Sequence, residues 1–348
     1  MYVWVLRDKG SEWRTIKKFL RRGRLPFAPL VEAVCEPYLR KGSQPNPVEV
    51  IDGLSHRLSR LTDCDRVWVD LGNLLFLFSP GDVARLHSVV RRHLGLRSRV
   101  ITPSVRTSSP PQIVRAAIEW ARSEECGLCI RVDGLTHLPE KALVVNQIVA
   151  DSGLTPADID LILDAQDLPR AVSHEEMRRI VPLVSTCRTW VVAAGTFPKI
   201  SDLEHGIYEH LLDRGEFSAW REEIETHHSG RLPLFGDYAT QPSVYAPSPP
   251  FPGSPSVRYT VADGFIVLRG RGGESGDIAQ YKGHARYLRQ TSYYRGVIDT
   301  PGDDYVDHIA GAHSGTGNQT TWRIASFERH VHVVNAQVAE VMATVEAR

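Results

Sequence analysis

Carboxylates and arginines recur where short apolar runs stop, and these are the residues with which the chain could do chemistry. Asp70 closes Val67-Trp68-Val69, Asp164 closes the run from Ile159 to Leu163, and Asp237 follows Leu232-Pro233-Leu234-Phe235-Gly236. Aspartates converging on one rim can act as general bases or hold a divalent cation such as Mg²⁺. Asp70, Asp164 and Asp237 are therefore the candidate catalytic residues. Lys9, Glu32, Arg131 with Asp133, and Tyr238 stand at the ends of similar runs, as do Thr102 with Ser104, Asp167 and Thr196. Unpaired carboxylates are costly to bury, so such a ring calls for metal, arginine or substrate. The plain alternative is that each is a helix cap or a solvated loop residue.

A second group is basic. Arg258, Arg269 and Arg271 interleave with Gly270, Gly272 and Gly273, and Arg323 follows Thr320-Thr321. Guanidinium forks grip phosphate or carboxylate, and threonine hydroxyls and glycine-rich backbone add donors. Lys9, Glu32, Arg131, Tyr238, Arg258, Arg269, Arg271, Thr321 and Arg323 are accordingly the candidate ligand-binding residues. The competing reading is a salt-bridge network between these arginines and the rim carboxylates.

The elements that must position these groups alternate regularly. Val3–Leu6, Phe27–Glu32, Val67–Asp70, Arg99–Thr102, Leu128–Asp133, Ile159–Asp164, Trp190–Gly195 and Leu232–Asp237 read as strands. Continuous apolar runs of this kind suit parallel strands covered on both faces. Helical patterns lie between them: Ser11–Arg22, Pro47–Leu61 capped by Asn46, Gly81–His93, Pro111–Glu124, Lys141–Asp151, Ser173–Val184 with a Ser173/Glu176 capping box, and a helix-rich stretch from Ser201 to Glu225. The repeat predicts an α/β fold, a (β/α)₈ TIM-type barrel over residues 1–245. An open doubly wound sheet would need a glycine-rich loop after the first strand, and Arg7-Asp8-Lys9-Gly10-Ser11 is not one.

Residues 246–348 begin with a Pro-rich connector. Val257–Thr260 and Phe265–Leu268 then flank Ala262-Asp263-Gly264 as a β-hairpin, and helices follow near Asp277–Gln290 and from about Thr320. The hairpin reads as an excursion after the eighth strand, with a later helix completing the barrel. In a closed barrel the site forms at the C-terminal ends of the strands. Asp237 is expected to face that mouth, with Gly236 allowing the turn, Tyr238 as a wall and the hairpin arginines holding it ionised.

Composition narrows the function classes. The 348 residues carry Lys+Arg 41 against Asp+Glu 41, so no global basic field exists to hold nucleic acid. No apolar run approaches the roughly 20 residues needed to span a bilayer, so no membrane partner is expected. Five cysteines without a recognisable signal sequence fit reduced thiols and a cytoplasmic location. Cys126-Gly127-Leu128-Cys129 lacks a second ligand pair for zinc. His227-His228, Asp307-His308 and His330-Val331-His332 form no metalloprotease motif, and the last alternates as in a strand or irregular edge, with both rings on one side.

Several segments resemble the "beta protein" family of phages and bacteria. They are Leu6-Arg7-Asp8-Lys9 with Glu12, Phe235-Gly236-Asp237-Tyr238, Arg258-Tyr259-Thr260, Arg269-Gly270-Arg271, Gln280-Tyr281, and Gly317–Arg323 followed by His330 and His332. Gln319 departs from the usual proline, and Gly10-Ser11 from the usual residue-glycine pair. The resemblance implies a mobile-element or phage-conflict setting and little specific biochemistry. The reading open at this point is a barrel that binds, and as an enzyme would hydrolyse, a phosphate-bearing small molecule or nucleic acid. The alternatives are a non-catalytic recognition module for a protein or nucleotide, and an assembly subunit docked through its Pro-rich strap.

Overall fold

The computed structural model describes residues 1–346 except 24, 39–44, 62–63, 167–181, 205–207, 227–230, 248–252, 272–277, 312 and 314. The apolar runs form β1 (Tyr2–Arg7), β2 (Phe27–Glu32), β3 (Val67–Asp70), β4 (Ile101–Arg106), β5 (Leu128–Asp133), β6 (Ile159–Gln166) and β7 (Thr189–Ala194). Helices α1 (Gly10–Arg21), α2 (Pro47–Leu58), α3 (Pro80–Leu94), α4 (Pro111–Glu124) and α5 (Leu138–Ser152) lie between them. The chain then leaves the barrel as β8 (Glu209–Asp213), forms α6 (Gly215–Thr226), and returns as β9 (Leu234–Asp237) between β7 and β1. All eight barrel neighbours pair in parallel. The fold is thus the closed TIM-type barrel that the βα rhythm implies.

Alternation along each strand separates two cores. Val3, Val5, Ala28, Leu30, Trp68, Cys129 and Ile162 fill the barrel. The intervening Trp4, Leu6, Val31, Val69 and Phe235 pack outward against the helices. Asn46 caps α2 as expected, accepting the Val48 amide at 2.9 Å. Among the described residues, no helix is long and apolar enough to cross a membrane.

Beyond β9, β10 (Ser256–Thr260) and β11 (Gly264–Arg269) make the expected antiparallel hairpin, and β8 adds to β11. One face of this sheet packs on α7 (Gln280–Arg289), α8 (Pro301–Ala310) and the start of α9 (Gln319–Glu346) through Tyr259, Leu268, Tyr281, Ile309 and Trp322. The other face turns Phe265 and Val267 toward Phe197 and Leu203. The long α9 continues past the sheet to lie against α1, α6 and β1.

Several local expectations need correction. The stretch from Ser201 is not helix-rich until Gly215, because Glu209–Asp213 is strand β8. Arg99 lies in a 3₁₀ segment, Gly95–Val100, so β4 starts and ends later than its apolar run. β9 likewise begins at Leu234, not Leu232. His330 and His332 sit on helix α9, where a two-residue step rotates side chains by about 200° and sends them to opposite sides. His332 stacks on Phe19 and His330 on Phe265. The Ser173/Glu176 box, His227-His228, and the middle of the Pro-rich connector lie outside the described residues.

The closest backbone approach in the accessory layer is at Gly302 in the first turn of α8. A Cβ there would meet the Ala325 carbonyl oxygen at 2.5 Å and the Arg329 Cβ at 3.0 Å. Both belong to α9, which must shift to make room. Gly302→Ala should therefore destabilise the fold by about 1–3 kcal/mol, as overpacking does. Urea denaturation of the two proteins measures this, and an unchanged midpoint would show that α8 and α9 yield freely.

Candidate functional site

The inward parity that fills the barrel with apolar side chains continues to its C-terminal rim, where the residues become charged. Arg7, Glu32 and Asp70 stand at matching register on β1, β2 and β3. Arg106 on β4 pairs in register with Arg131 on β5, and Asp164 ends the regular part of β6. Three carboxylates meet three guanidiniums here, through Arg7–Glu32, Arg106–Glu32, Arg106–Asp70 and the three contacts of Arg131. The rim network is charge-neutral.

Arg131 is its centre and is only 2% exposed. Its Nη2 lies 2.8 Å from Glu32 Oε1 and 2.6 Å from Asp164 Oδ2, while Nη1 donates to Asp70 Oδ2. Tyr238, inward-facing after β9, accepts from Arg131 Nη2 at 2.6 Å and donates to Asp164 Oδ2 at 2.7 Å. Burial, helped by the Asp164 and Glu32 carboxylates, outweighs Arg131 and raises the Tyr238 phenol, which stays protonated. Burial alone would raise the Asp70 carboxyl, but Arg106, Arg131 and the Gly72 amide hold it below its ordinary value. Burial alone would likewise lower the Arg131 guanidinium; Tyr238, Asp164, Glu32 and Asp70 reverse that and raise it strongly.

Asp237 is elsewhere. β9 sets it beside Trp4, three residues below Arg7, and its parity is that of the outward-packing Phe235. It faces α9, where His330 Nε2 lies 2.8 Å from Oδ2. Tyr2 donates its hydroxyl to Oδ1, and the Ala239 amide donates to the same oxygen at 2.9 Å. His330 Nδ1 in turn meets Thr260 Oγ1 at 3.0 Å. Burial raises the Asp237 carboxyl, and His330, ahead of Arg214 and Tyr2, overcomes it and lowers the pKa. The expectation that Asp237 points into the mouth under the hairpin arginines is therefore corrected: it is buried outside the barrel, and its partner there is His330.

The predicted ligand-binding residues divide in the same manner. Glu32, Arg131 and Tyr238 join Asp70 and Asp164 in the rim network. Lys9 pairs with Glu36 at 2.6 Å and lies over the Tyr245 ring, at the margin of the rim. Arg269 donates to the Leu203 carbonyl, and Arg271 is exposed, its amide held by Gln280 at 2.7 Å. Thr321 caps the start of α9, accepting the Asn318 amide at 2.9 Å and the Tyr305 hydroxyl at 2.6 Å. None of these four joins the network.

Arg258 and Arg323 lie within electrostatic range of one another. Arg258 Nη1 donates to the Thr240 carbonyl at 2.5 Å, after β9, and its guanidinium lies 5.2 Å from the Phe197 ring, after β7. Burial foremost, then neighbouring Arg323, pushes Arg258 down to about 9, with Glu12 of α1 only partly offsetting them. Among the described residues, Arg323 Nε is buried without a hydrogen-bond partner. Glu12 accepts from Ser11 and Gln241 rather than from a guanidinium.

Arg7 and Arg106 were not singled out as site residues from sequence. Arg106 could have been found by extending β4 at period two from Thr102 and Ser104. Among the described residues, no group of three or more His, Cys, Asp or Glu side chains is arranged to hold a metal ion. Cys126 and Cys129 flank the start of β5, both buried; burial raises the Cys126 thiol to about 12 and the Cys129 thiol higher.

The family model described as Beta protein matches residues 2–336. The chain belongs to the Beta protein family. No curated protein matches its sequence. Among solved structures, the chain is similar to the crystal structure of SacUVDE at 13% identity, with 69% of this chain and 93% of that chain covered and a TM-score of 0.37. That likeness is too slight to bear on the site of this Beta protein family member.

The neutral network makes a prediction about acid. Asp70 has a lower pKa folded than unfolded, so its contribution is complete above about pH 4, its ordinary value, and drains as pH falls through the folded value. Asp70→Asn should lose about 3–5 kcal/mol at pH 7, the cost of breaking a buried pair. The deficit should be unchanged in urea titrations at pH 5 and shrink at pH 3, below the ordinary value. A deficit of the same size at pH 3 would mean that packing, not charge, holds Asp70.

Proposed function

We propose that this barrel binds a phosphate-bearing small molecule at its C-terminal face, with Arg258 and Arg323 as the anion clamp above the neutral rim network. One observation carries the reading. These two guanidiniums lie within electrostatic range of one another with no carboxylate at ion-pair distance among the described residues, whereas Arg7, Arg106, Arg131, Arg214 and Arg329 each have one. Two like charges brought together and desolvated are unfavourable, and a bound anion relieves both penalties. The loops after β7 and β9 and the start of α1 all reach Arg258, which is where barrels form their ligand sites.

The charge balance favours a small ligand over a nucleic-acid strand. A strand needs several phosphate contacts spread over a basic surface. Here the formal net charge is +0 and the rim cancels internally, so two arginines suit a single phosphate group. Binding is also better supported than hydrolysis. Asp70 and Asp164 are both occupied by Arg131. Burial raises the Asp70 carboxyl, but Arg106 and Arg131 overcome it and hold it below its ordinary value, and Asp237 is turned out of the mouth.

Isothermal titration with inorganic phosphate, adenosine monophosphate and a 20-residue single-stranded oligonucleotide tests the reading. The mononucleotide should bind, and Arg258→Gln and Arg323→Gln should each weaken it by about 10- to 100-fold, the worth of a charge-assisted hydrogen bond. Affinity unchanged in both variants, or binding confined to the oligonucleotide with a steep salt dependence, would reject it.

A further inference from the structure

The accessory sheet has one edge that, among the described residues, meets the barrel only at its Asp213 end. β8 is the outer strand in the order β10-β11-β8 and pairs only with β11. The phase of that ladder is fixed at both ends: Arg269 N–H donates to Tyr208 O at 2.8 Å, and Arg214 N–H donates to Asp263 O at 3.1 Å. Hydrogen-bonded pairs in an antiparallel ladder recur at every second residue. His210 and Leu212 therefore bond toward β11, while Glu209, Leu211 and Asp213 turn their backbone groups outward. The Asp213 carbonyl accepts the Thr196 hydroxyl at 2.9 Å. Among the described residues, the outward N–H and C=O groups of Glu209 and Leu211 have no such partner.

The side chains around this edge are unusual for a surface. Leu211 at its centre is 71% exposed, and Val297 and Tyr208 nearby are exposed as well. An open groove of about 340 Å³ runs alongside, lined by Leu211, Asp213, Asp263, Tyr293 and Val297. Its charges are acidic: Asp213 is exposed, and the Asp263 side chain is 74% exposed. A second copy is a poor occupant. Pairing two β8 strands antiparallel about Leu211 would set Glu209 opposite Asp213 twice, and like charges directly opposite are destabilising.

We propose that the β8 edge is a docking site for an extended segment of a partner protein, added as a fourth strand, whose apolar residues cover Leu211 and whose flanking Lys or Arg residues face Glu209, Asp213 and Asp263. Main-chain hydrogen bonds supply the affinity in such β-addition, and the flanking charges select the partner. This site is separate from the arginine clamp and does not depend on it.

Fluorescence anisotropy of the full chain with labelled peptides tests the proposal. The probes are Lys-Thr-Val-Thr-Val-Thr-Lys, the same peptide with Glu at both ends, and the Lys peptide N-methylated at alternate amides. The Lys peptide should saturate, and the other two should bind at least tenfold more weakly. Leu211→Pro removes an N–H that points away from β11, so the ladder survives while the new strand is blocked. Binding should fall at least tenfold in that variant; if it does not fold, the N-methylated peptide makes the same test without altering the protein. No binding, equal binding of the Glu peptide, insensitivity to N-methylation, or a dimer in sedimentation that Leu211→Pro dissolves would each overturn the proposal.

Discussion

Arg131 carries its charge in the interior of a barrel, and the arrangement of the mouth follows from the need to satisfy it. A guanidinium removed from water is tolerated only when its donors and its charge are met. Here Glu32, Asp70 and Asp164 converge on it from three strands, and Arg7 and Arg106 then balance the surplus negative charge. Because the partners come from β1 to β6, the network ties most of the barrel's circumference together at one level. The opposite end is closed in a similar manner. Asp160 accepts Trp68 Nε1 at 2.7 Å and pairs with Arg66 and Arg188. An apolar layer thus lies between two ionic plugs, and neither plug can shift without stranding a buried charge.

The accessory sheet is attached by the same economy of buried polar groups. Asp237 is 1% exposed, and among the described residues it is satisfied by the local Ala239 amide and by two side chains that bridge elements, Tyr2 on β1 and His330 on α9. His330 extends the bridge to Thr260 on β10. Burial around this chain keeps water out, so its role is to fix α9 and the hairpin against the barrel wall. That placement brings Arg258 over Thr240 and Phe197. An aspartate expected from its strand-end position to face the mouth instead links the barrel wall to the layer that carries the arginines.

The barrel was legible because continuous apolar runs at βα spacing have few other uses, and the strand-end carboxylates of Glu32, Asp70 and Asp164 were legible with it. What was hidden depends on register. Asp237 and Tyr238 are neighbours at a strand end, and one residue of phase decides which faces in; the pairing with Trp4 and Ala194 fixes it. Arg106 escaped notice because Thr102, Pro103 and Ser104 interrupt the apolar residues, so β4 does not read as an apolar run to its end. β8 was concealed for the opposite reason. As an edge strand with exposed Leu211 and charged ends, Glu209-His210-Leu211-Leu212-Asp213 has neither the continuous apolarity of the barrel strands nor clean alternation. Both failures come from strands whose surroundings are polar.

The two arginine sets at the mouth differ in a way that packing alone does not require. Those on the strands are neutralised by carboxylates in direct contact, whereas Arg258 and Arg323 come from the accessory layer and stay uncompensated. Gln241 stands between the sets. Its carbonyl oxygen accepts from Arg7 at 3.4 Å and its amide donates to Glu12 at 3.1 Å, while Ser11 occupies the other Glu12 oxygen. A neutral amide thereby engages the acidic group nearest the clamp, and Glu12 is not drawn into a salt bridge that would quench it. Replacing Gln241 by a lysine or arginine would join the two sets into one closed network. With glutamine, the strand-borne charges cancel among themselves and, among the described residues, Arg258 and Arg323 keep no carboxylate at ion-pair distance.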